Sequence, residues 1–291
     1  MFETMVLATD LSSDWDDILS CGEEFKVLGC KKAVLTHFIM GGTLEEREAA
    51  VHGEAPPKLR DQKRLLETQG FDVLLETTLG TPGQVINEVA EKHQASLIVV
   101  GSHGKSLWRE ALLGSVSNEI LHHVRFPTLL LNVKRLRADE EGAICQLRTR
   151  ELLRHVLYPT DFSPIADQGV EFLEGLASKG ISKVTVFHSL YAPEIHPTSV
   201  LEADEALIQG LLESLADRLK QAGVPRVETT QLKGHPTANI VDFLRKSDCS
   251  MVIMGTQGKG FFSEIFLGSV AYNVARLASC PVLLLPRKKS K

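Results

Sequence analysis

The sequence predicts two α/β domains in one chain, each a five-stranded parallel sheet with helices on both faces. Three observations lead there. Short apolar runs alternate with longer segments of helical spacing. The second half of the chain repeats the first. The length, 291 residues, suits two domains that each bury a core of their own.

In the first half the strands read as Met5–Thr9, Ala33–Phe38, Val73–Thr78, Leu97–Val100 and Thr128–Val133. Short runs of this kind belong to strands covered on both faces. The intervening segments have helical periodicity. In the second half Ile208, Leu211, Leu212, Leu215 and Leu219 read as one apolar stripe. Pro82 and Pro236 each stand two residues after a glycine, where a helix is expected to begin.

The repeat can be followed residue by residue. Ala8-Thr9-Asp10-Leu11-Ser12 returns as Pro159-Thr160-Asp161-Phe162-Ser163, and Gly80-Thr81-Pro82 returns as Gly234-His235-Pro236. Phe126-Pro127 opens the same closing strand as Cys280-Pro281. Asp10 to Asp161 is an offset of 151, and Gly101 to Gly255 an offset of 154. The three extra residues must therefore lie between the second strand and the Gly80 turn, where a loop absorbs them at little cost. A polar stretch without apolar periodicity begins near Lys134. It places a first domain at 1–137, a linker at 138–151 and a second domain at 152–291.

Composition narrows the partners. Hydrophobic residues make up 43% and charged residues 24%, ordinary for a globular protein, and the net charge is -5. The one basic run, Arg287-Lys288-Lys289-Ser290-Lys291, has no aromatic platform beside it and reads as a solvated tail rather than a nucleic-acid contact. Cys21, Cys30, Cys145, Cys249 and Cys280 are scattered without a CxxC pair, which argues against a disulfide framework and a zinc site. No segment has the length and apolarity to span a bilayer, and no basic leader precedes the first strand. A cytoplasmic protein without membrane contact is the expectation.

The chemistry is carried by a glycine pattern. Gly101-x-x-Gly104, nine residues and then Gly114-Ser115 recur as Gly255-x-x-Gly258, nine residues and then Gly268-Ser269. Glycines behind a buried strand let backbone N–H groups approach a phosphate. Ser115 and Ser269 stand where helices begin and read as caps, at an end whose partial positive charge attracts an anion. Lys105 and Lys259 could add a charged contact, although a solvated loop lysine is the commoner reading. With strand order 3-2-1-4-5, strands one and four meet where the order reverses, the place where open α/β sheets bind ligands. Asp10 and Gly101 would then face each other across one crevice, and Asp161 and Gly255 across another. Two rival motifs fail. A P-loop would need glycine where Val99 stands, and the first turn, Asp10-Leu11-Ser12-Ser13, is no dinucleotide fingerprint.

The aspartate at the first strand's end, the G-x2-G-x9-G-S element and the closing Pro-x-Leu-Leu-Leu strand together resemble the universal stress protein family in its tandem form. The resemblance spans nearly the whole chain. It implies flavodoxin-like or Rossmann-like sheets, binding of ATP or AMP, with Mg2+, and dimerisation through the last strand. It places Gly101, Gly104, Lys105, Gly114, Ser115, Val116 and Ser117 around phosphates and ribose, with Asp10 near base, ribose or metal. The backbone near Phe38 would contact adenine. The matching second-half positions are Asp161, Ser189, Gly255, Gly258, Gly268, Ser269 and Val270. Ala271 replaces the second hydroxyl there, so the first site is expected to bind more tightly. No catalytic set recurs in both halves. The expected function is a nucleotide-binding stress-response regulator and homodimer, with slow ATP hydrolysis or phosphotransfer as the alternative. His37 and His188, near the end of strand two, read as partly buried structural histidines, with no metal site implied.

Overall fold

The computed structural model describes residues 2–39, 41, 43–102, 113–131, 151–191, 198–258 and 267–287. The chain divides into two compact units, the second beginning at Glu151. The first unit runs β1 (Thr4–Thr9), α1 (Ser13–Leu19), α2 (Gly22–Val27), β2 (Lys32–Ile39), α3 (Leu44–Val51), α4 (Pro57–Thr68), β3 (Asp72–Leu79), α5 (Pro82–Lys92), β4 (Leu97–Gly101), α6 (Ser115–His122) and β5 (Thr128–Leu131). The second runs β6 (Val156–Pro159), α7 (Pro164–Ala177), β7 (Lys183–Leu190), α8 (Thr198–Gln221), β8 (Arg226–Lys233), α9 (Pro236–Lys246), β9 (Met251–Gly255), α10 (Ser269–Leu277) and β10 (Val282–Leu285).

Within the first unit the strands lie in the order β3-β2-β1-β4-β5, and within the second in the order β8-β7-β6-β9-β10. Every neighbouring pair inside a unit is parallel. This is the order expected from the sequence. The chain moves outward from β1 to β3, then returns to the other side of β1 for β4 and β5. Right-handed crossovers in opposite directions put the connecting helices on opposite faces. The central strands are accordingly buried: β4 at all five positions, and β1 at every position but Thr4. The edge strands β3 and β8 carry exposed residues. Pro82 and Pro236 sit in the first helical positions of α5 and α9. The turns before them use Gly80 and Gly234 at φ +127° and +121°, a region costly to side chains.

The halves part between their second and third strands, where the three-residue difference was expected. The first unit has two helices there, and Pro56-Pro57 starts the second of them. The second unit has the single 24-residue helix α8. The apolar stripe expected on α8 needs one correction. Leu212, Ala216 and Leu219 form its buried ridge, whereas Leu211 is 41% exposed. One residue along a helix is a rotation of about 100°, so Leu211 and Leu212 cannot both face the sheet.

One polar cluster, around a buried histidine, is peculiar to the second unit. The His155 ring, only 3% exposed, lies between Asp248 Oδ1 at 2.6 Å from Nδ1 and Thr185 Oγ1 at 2.8 Å from Nε2. A carboxylate only accepts, so Nδ1 carries the proton. Thr4 and Gln94 hold the equivalent places in the first unit, and there they line a cavity of about 310 Å³. Burial pushes the His155 pKa down from 6.5. The hydrogen bonds from His155 and Arg154 hold Asp248 down, at about 2. Both groups bind fewer protons folded than unfolded, so stability falls as pH falls. The His155 contribution is expected to be lost as pH drops below 6.5, and that of Asp248 as pH drops below 3.8. Denaturant unfolding of the second unit between pH 8 and pH 5, in wild type and His155→Gln, checks this. The variant should show the shallower pH dependence.

Candidate functional site

The candidate sites lie at the carboxyl ends of β1 and β4, and of β6 and β9, the neighbours where each strand order reverses. In the first unit Ala8 pairs with Val100, which brings Asp10 and Gly101 to the same edge. In the second unit the approach is seen directly. A β-carbon on Gly258 would lie 2.4 Å from Asp161 Oδ2, and one on Gly255 would lie 2.8 Å from the Ile165 Cγ2 methyl. The glycine loop and the aspartate thus face each other, as the repeat predicts, and the missing side chain at Gly258 makes that approach possible. Gly104, Lys105 and Lys259 lie outside the described residues.

The aspartate sits in a turn built identically in both units. Asp10 Oδ1 accepts the Ser12 N–H at 2.9 Å, and Asp161 Oδ1 accepts the Ser163 N–H at 3.0 Å. Thr9 Oγ1 accepts the Leu11 N–H, and Thr160 Oγ1 the Phe162 N–H, both at 3.0 Å. Leu11 and Phe162 are left-handed, at φ 62° and 57°. Bulky residues in that region cost about 1–3 kcal/mol and are held there by their surroundings. In the first unit the brace extends further. Thr9 Oγ1 donates to Gln62 Oε1 at 2.9 Å, and Gln62 Nε2 donates to Asp16 Oδ1 at 2.9 Å. His37 and His188 contact the carbonyls of Thr9 and Thr160. The sequence signal for all this was Thr-Asp-x-Ser, present twice. It was legible as an aspartate at a strand end but not as a turn held from four sides.

Each loop ends by closing onto its own strand. The Gly114 N–H donates to the Ser102 carbonyl at 2.9 Å, and the Gly268 N–H to the Thr256 carbonyl at 2.7 Å. Here the reading of Ser115 and Ser269 as caps is corrected. The N-caps are Gly114 and Gly268, neither with a side chain to cap the helix. Ser115 and Ser269 are the first helical residues and are exposed. With no cap side chain, the first-turn N–H groups of α6 and α10 suit an anion. Val116 and Val270 follow in the same turn and are half-buried.

Ser117 also departs from expectation. It is buried, and its hydroxyl donates to the Gly101 carbonyl at 2.5 Å, tying α6 to the end of β4. Its proton is therefore already used within the protein. Ala271, the counterpart, is 3% exposed and packs without a hydroxyl. Ser117→Ala is expected to destabilise the first unit by about 1 kcal/mol, the net worth of a hydrogen bond. A urea titration following that unit checks the value.

The base-side positions differ between units. Phe38 is 8% exposed near the end of β2. Ser189, its counterpart, donates to the Gly234 carbonyl and accepts from Asn239 Nδ2, both at 2.8 Å. That network joins β7 to the start of α9, and a lone serine in the sequence carried no sign of it.

Fold and site together define a tandem of doubly wound α/β domains, each with an aspartate turn beside a strand-ending glycine at the switch point. The chain belongs to the universal stress protein family: the family profile, described as Universal stress protein family, matches residues 1–132 and again 153–286. Among curated relatives, Universal stress protein MJ0531 of Methanocaldococcus jannaschii is 29% identical over 150 residues, spanning 48% of this chain and 86% of that protein. Universal stress protein Rv2623 of Mycobacterium tuberculosis is 27% identical over 195 residues, spanning 65% of this chain and 61% of that one. A universal stress protein structure from Archaeoglobus fulgidus superposes with a TM-score of 0.67 at 24% identity, covering 98% of both chains, a likeness of fold. Among the described residues no helix is long and apolar enough to cross a membrane.

Proposed function

We propose that each unit holds one adenine nucleotide, ATP or AMP, in the crevice between its glycine loop and its aspartate, and that the chain is a nucleotide-responsive regulator. The observation that carries this reading is the seating of Gly258 against the Asp161 carboxylate, beside a helix whose start has only glycine as its cap. A phosphate chain needs close backbone approach and N–H donors not taken by a cap, and the Gly258 approach and the glycine-capped start of α10 support both.

In this reading Gly101, Gly104, Gly114, Ser115 and Val116 surround the phosphates of the first unit, with Lys105 at the loop. Gly255, Gly258, Gly268, Ser269 and Val270 do so in the second. Asp10 and Asp161 face ribose or metal, and the strand ends at Phe38 and Ser189 face the base. Mg2+ keeps most of its waters and needs only one or two carboxylates besides the phosphates, which a single aspartate per crevice fits. Ser117 acts indirectly, by holding α6 against β4, so the two sites need not differ in affinity through that hydroxyl.

Native mass spectrometry of the purified chain, followed by calorimetric titration with Mg-ATP and with AMP, tests the proposal. The expected result is saturable binding with up to two nucleotides per chain. No binding of either nucleotide at millimolar concentration would refute it.

A further inference from the structure

We infer that His37 and His188 are positioning residues for the crevice aspartates, each acting through the threonine carbonyl that precedes its aspartate. The inference rests on the reading of the crevice as a nucleotide site. His37 Nδ1 lies 3.0 Å from the Thr9 carbonyl oxygen, and His188 Nδ1 lies 2.8 Å from that of Thr160. A carbonyl only accepts, so in both rings Nδ1 carries the proton and donates it. The carbonyl belongs to the peptide that joins threonine to aspartate. Fixing its direction fixes the plane from which the aspartate backbone departs.

The rest of the turn follows from that plane. The threonine hydroxyl accepts from the residue after the aspartate, and the aspartate Oδ1 accepts from the serine beyond. The residue between them is left-handed in both units, although it is leucine in one and phenylalanine in the other. Strain of this kind persists only where several contacts hold it, and ligand sites are where it gathers. The histidine comes from a different strand, 28 residues away in each unit. It thereby ties the turn to the sheet. In the second unit the left-handed residue also packs on the histidine, with ring centroids of Phe162 and His188 4.9 Å apart.

Three variants of the full chain separate the donor from the ring. His188→Phe keeps a ring against Phe162 but removes the N–H. His188→Asn places an amide N–H at the position of Nδ1, whereas the amide of His188→Gln lies one bond further out. Two readouts are taken: amide hydrogen exchange at Phe162 and Ser163, and calorimetric titration with Mg-ATP. His188→Phe and His188→Gln should speed exchange at those two amides about tenfold and weaken one of two Mg-ATP sites about tenfold, the size of one lost hydrogen bond. His188→Asn should restore both, which a role in ring packing alone would not allow. The inference is overturned if His188→Phe leaves the two amides unchanged, if His188→Asn behaves like His188→Phe, or if exchange rises while Mg-ATP affinity does not move. Should wild type bind no Mg-ATP, the nucleotide reading falls, while the exchange rates still decide whether His188 holds the turn. If a His188 variant does not fold, His37→Phe and His37→Asn, read at Leu11 and Ser12, make the same test in the other unit.

Discussion

Gly258→Ala should weaken Mg-ATP binding in the second unit by tenfold or more while leaving the first unit's affinity as it was. The new β-carbon would lie 2.4 Å from Asp161 Oδ2, a distance that non-bonded atoms do not tolerate. A free carboxylate would simply rotate away. This one cannot do so cheaply, because its other oxygen accepts the Ser163 N–H at 3.0 Å and thereby shapes the turn. Either the turn opens or the glycine loop moves outward, and both separate the two walls of the proposed site. A tenfold loss corresponds to about 1.4 kcal/mol, well within what one misplaced polar contact costs. Asp161 and Gly258 are only half-buried, so the unfolding midpoint should change little. Calorimetry should show the high-affinity stoichiometry falling from two to one. Two unchanged sites would place the nucleotide elsewhere.

The largest effect on stability is expected from Gly83→Ala in α5. A β-carbon there would meet the Glu119 carbonyl oxygen and His123 Nδ1, each at 2.6 Å, on the facing helix α6. The carbonyl is helical backbone and cannot swing aside, and His123 Nδ1 is engaged with that same carbonyl at 2.9 Å. Asn87 ties the pair together, donating across it to the His123 carbonyl at 2.9 Å while also donating to the Gly83 carbonyl of its own helix at 2.9 Å. To admit a methyl group the helices must separate and stretch the Asn87–His123 bond. Overpacking of this kind costs about 1–3 kcal/mol, against a helix-propensity gain of at most about 1 kcal/mol for alanine over glycine. A net loss near 2 kcal/mol in the first unit is expected from urea unfolding. Because α6 also carries Ser115 and Ser117, first-unit nucleotide affinity should fall with it. Thr237, the counterpart of Gly83, already carries a side chain in α9, so the second unit offers a control: Thr237→Ala removes atoms and should not overpack.

Much of the site could be read from one line of letters because its ingredients are local. Glycine spacing reports where backbone must come close, an aspartate after an apolar run reports a strand end, and duplication removes coincidence. Ser115 shows where local reading fails. A serine at a helix start is a good cap by type, yet the N-cap position falls one residue earlier, at Gly114, so Ser115 is the first residue of the helix proper. Ser117 and Ala271 show a second failure. Whether a hydroxyl faces a ligand or a neighbouring carbonyl depends on which strand end packs beneath the helix, and Gly101 is 16 residues away in the chain. The His155 cluster is a third case, assembled from residues 30 and 93 positions apart.

By itself the sequence determined that the chain holds two copies of one parallel α/β fold, where most strands lie, and that an aspartate and a glycine end the two strands that meet where the order reverses. Apolar periodicity and repeated spacing are properties of neighbours along the chain, so they survive without coordinates. Only the tertiary structure decided that the residue after each aspartate is left-handed and that a histidine from another strand contacts the turn, that glycine rather than serine occupies the N-caps of α6 and α10, and that Ser117 ties helix to sheet. Those outcomes follow from side chains competing for partners across strands and helices. Hydrogen-bond geometry in three dimensions settles that competition, and sequence distance carries no record of it.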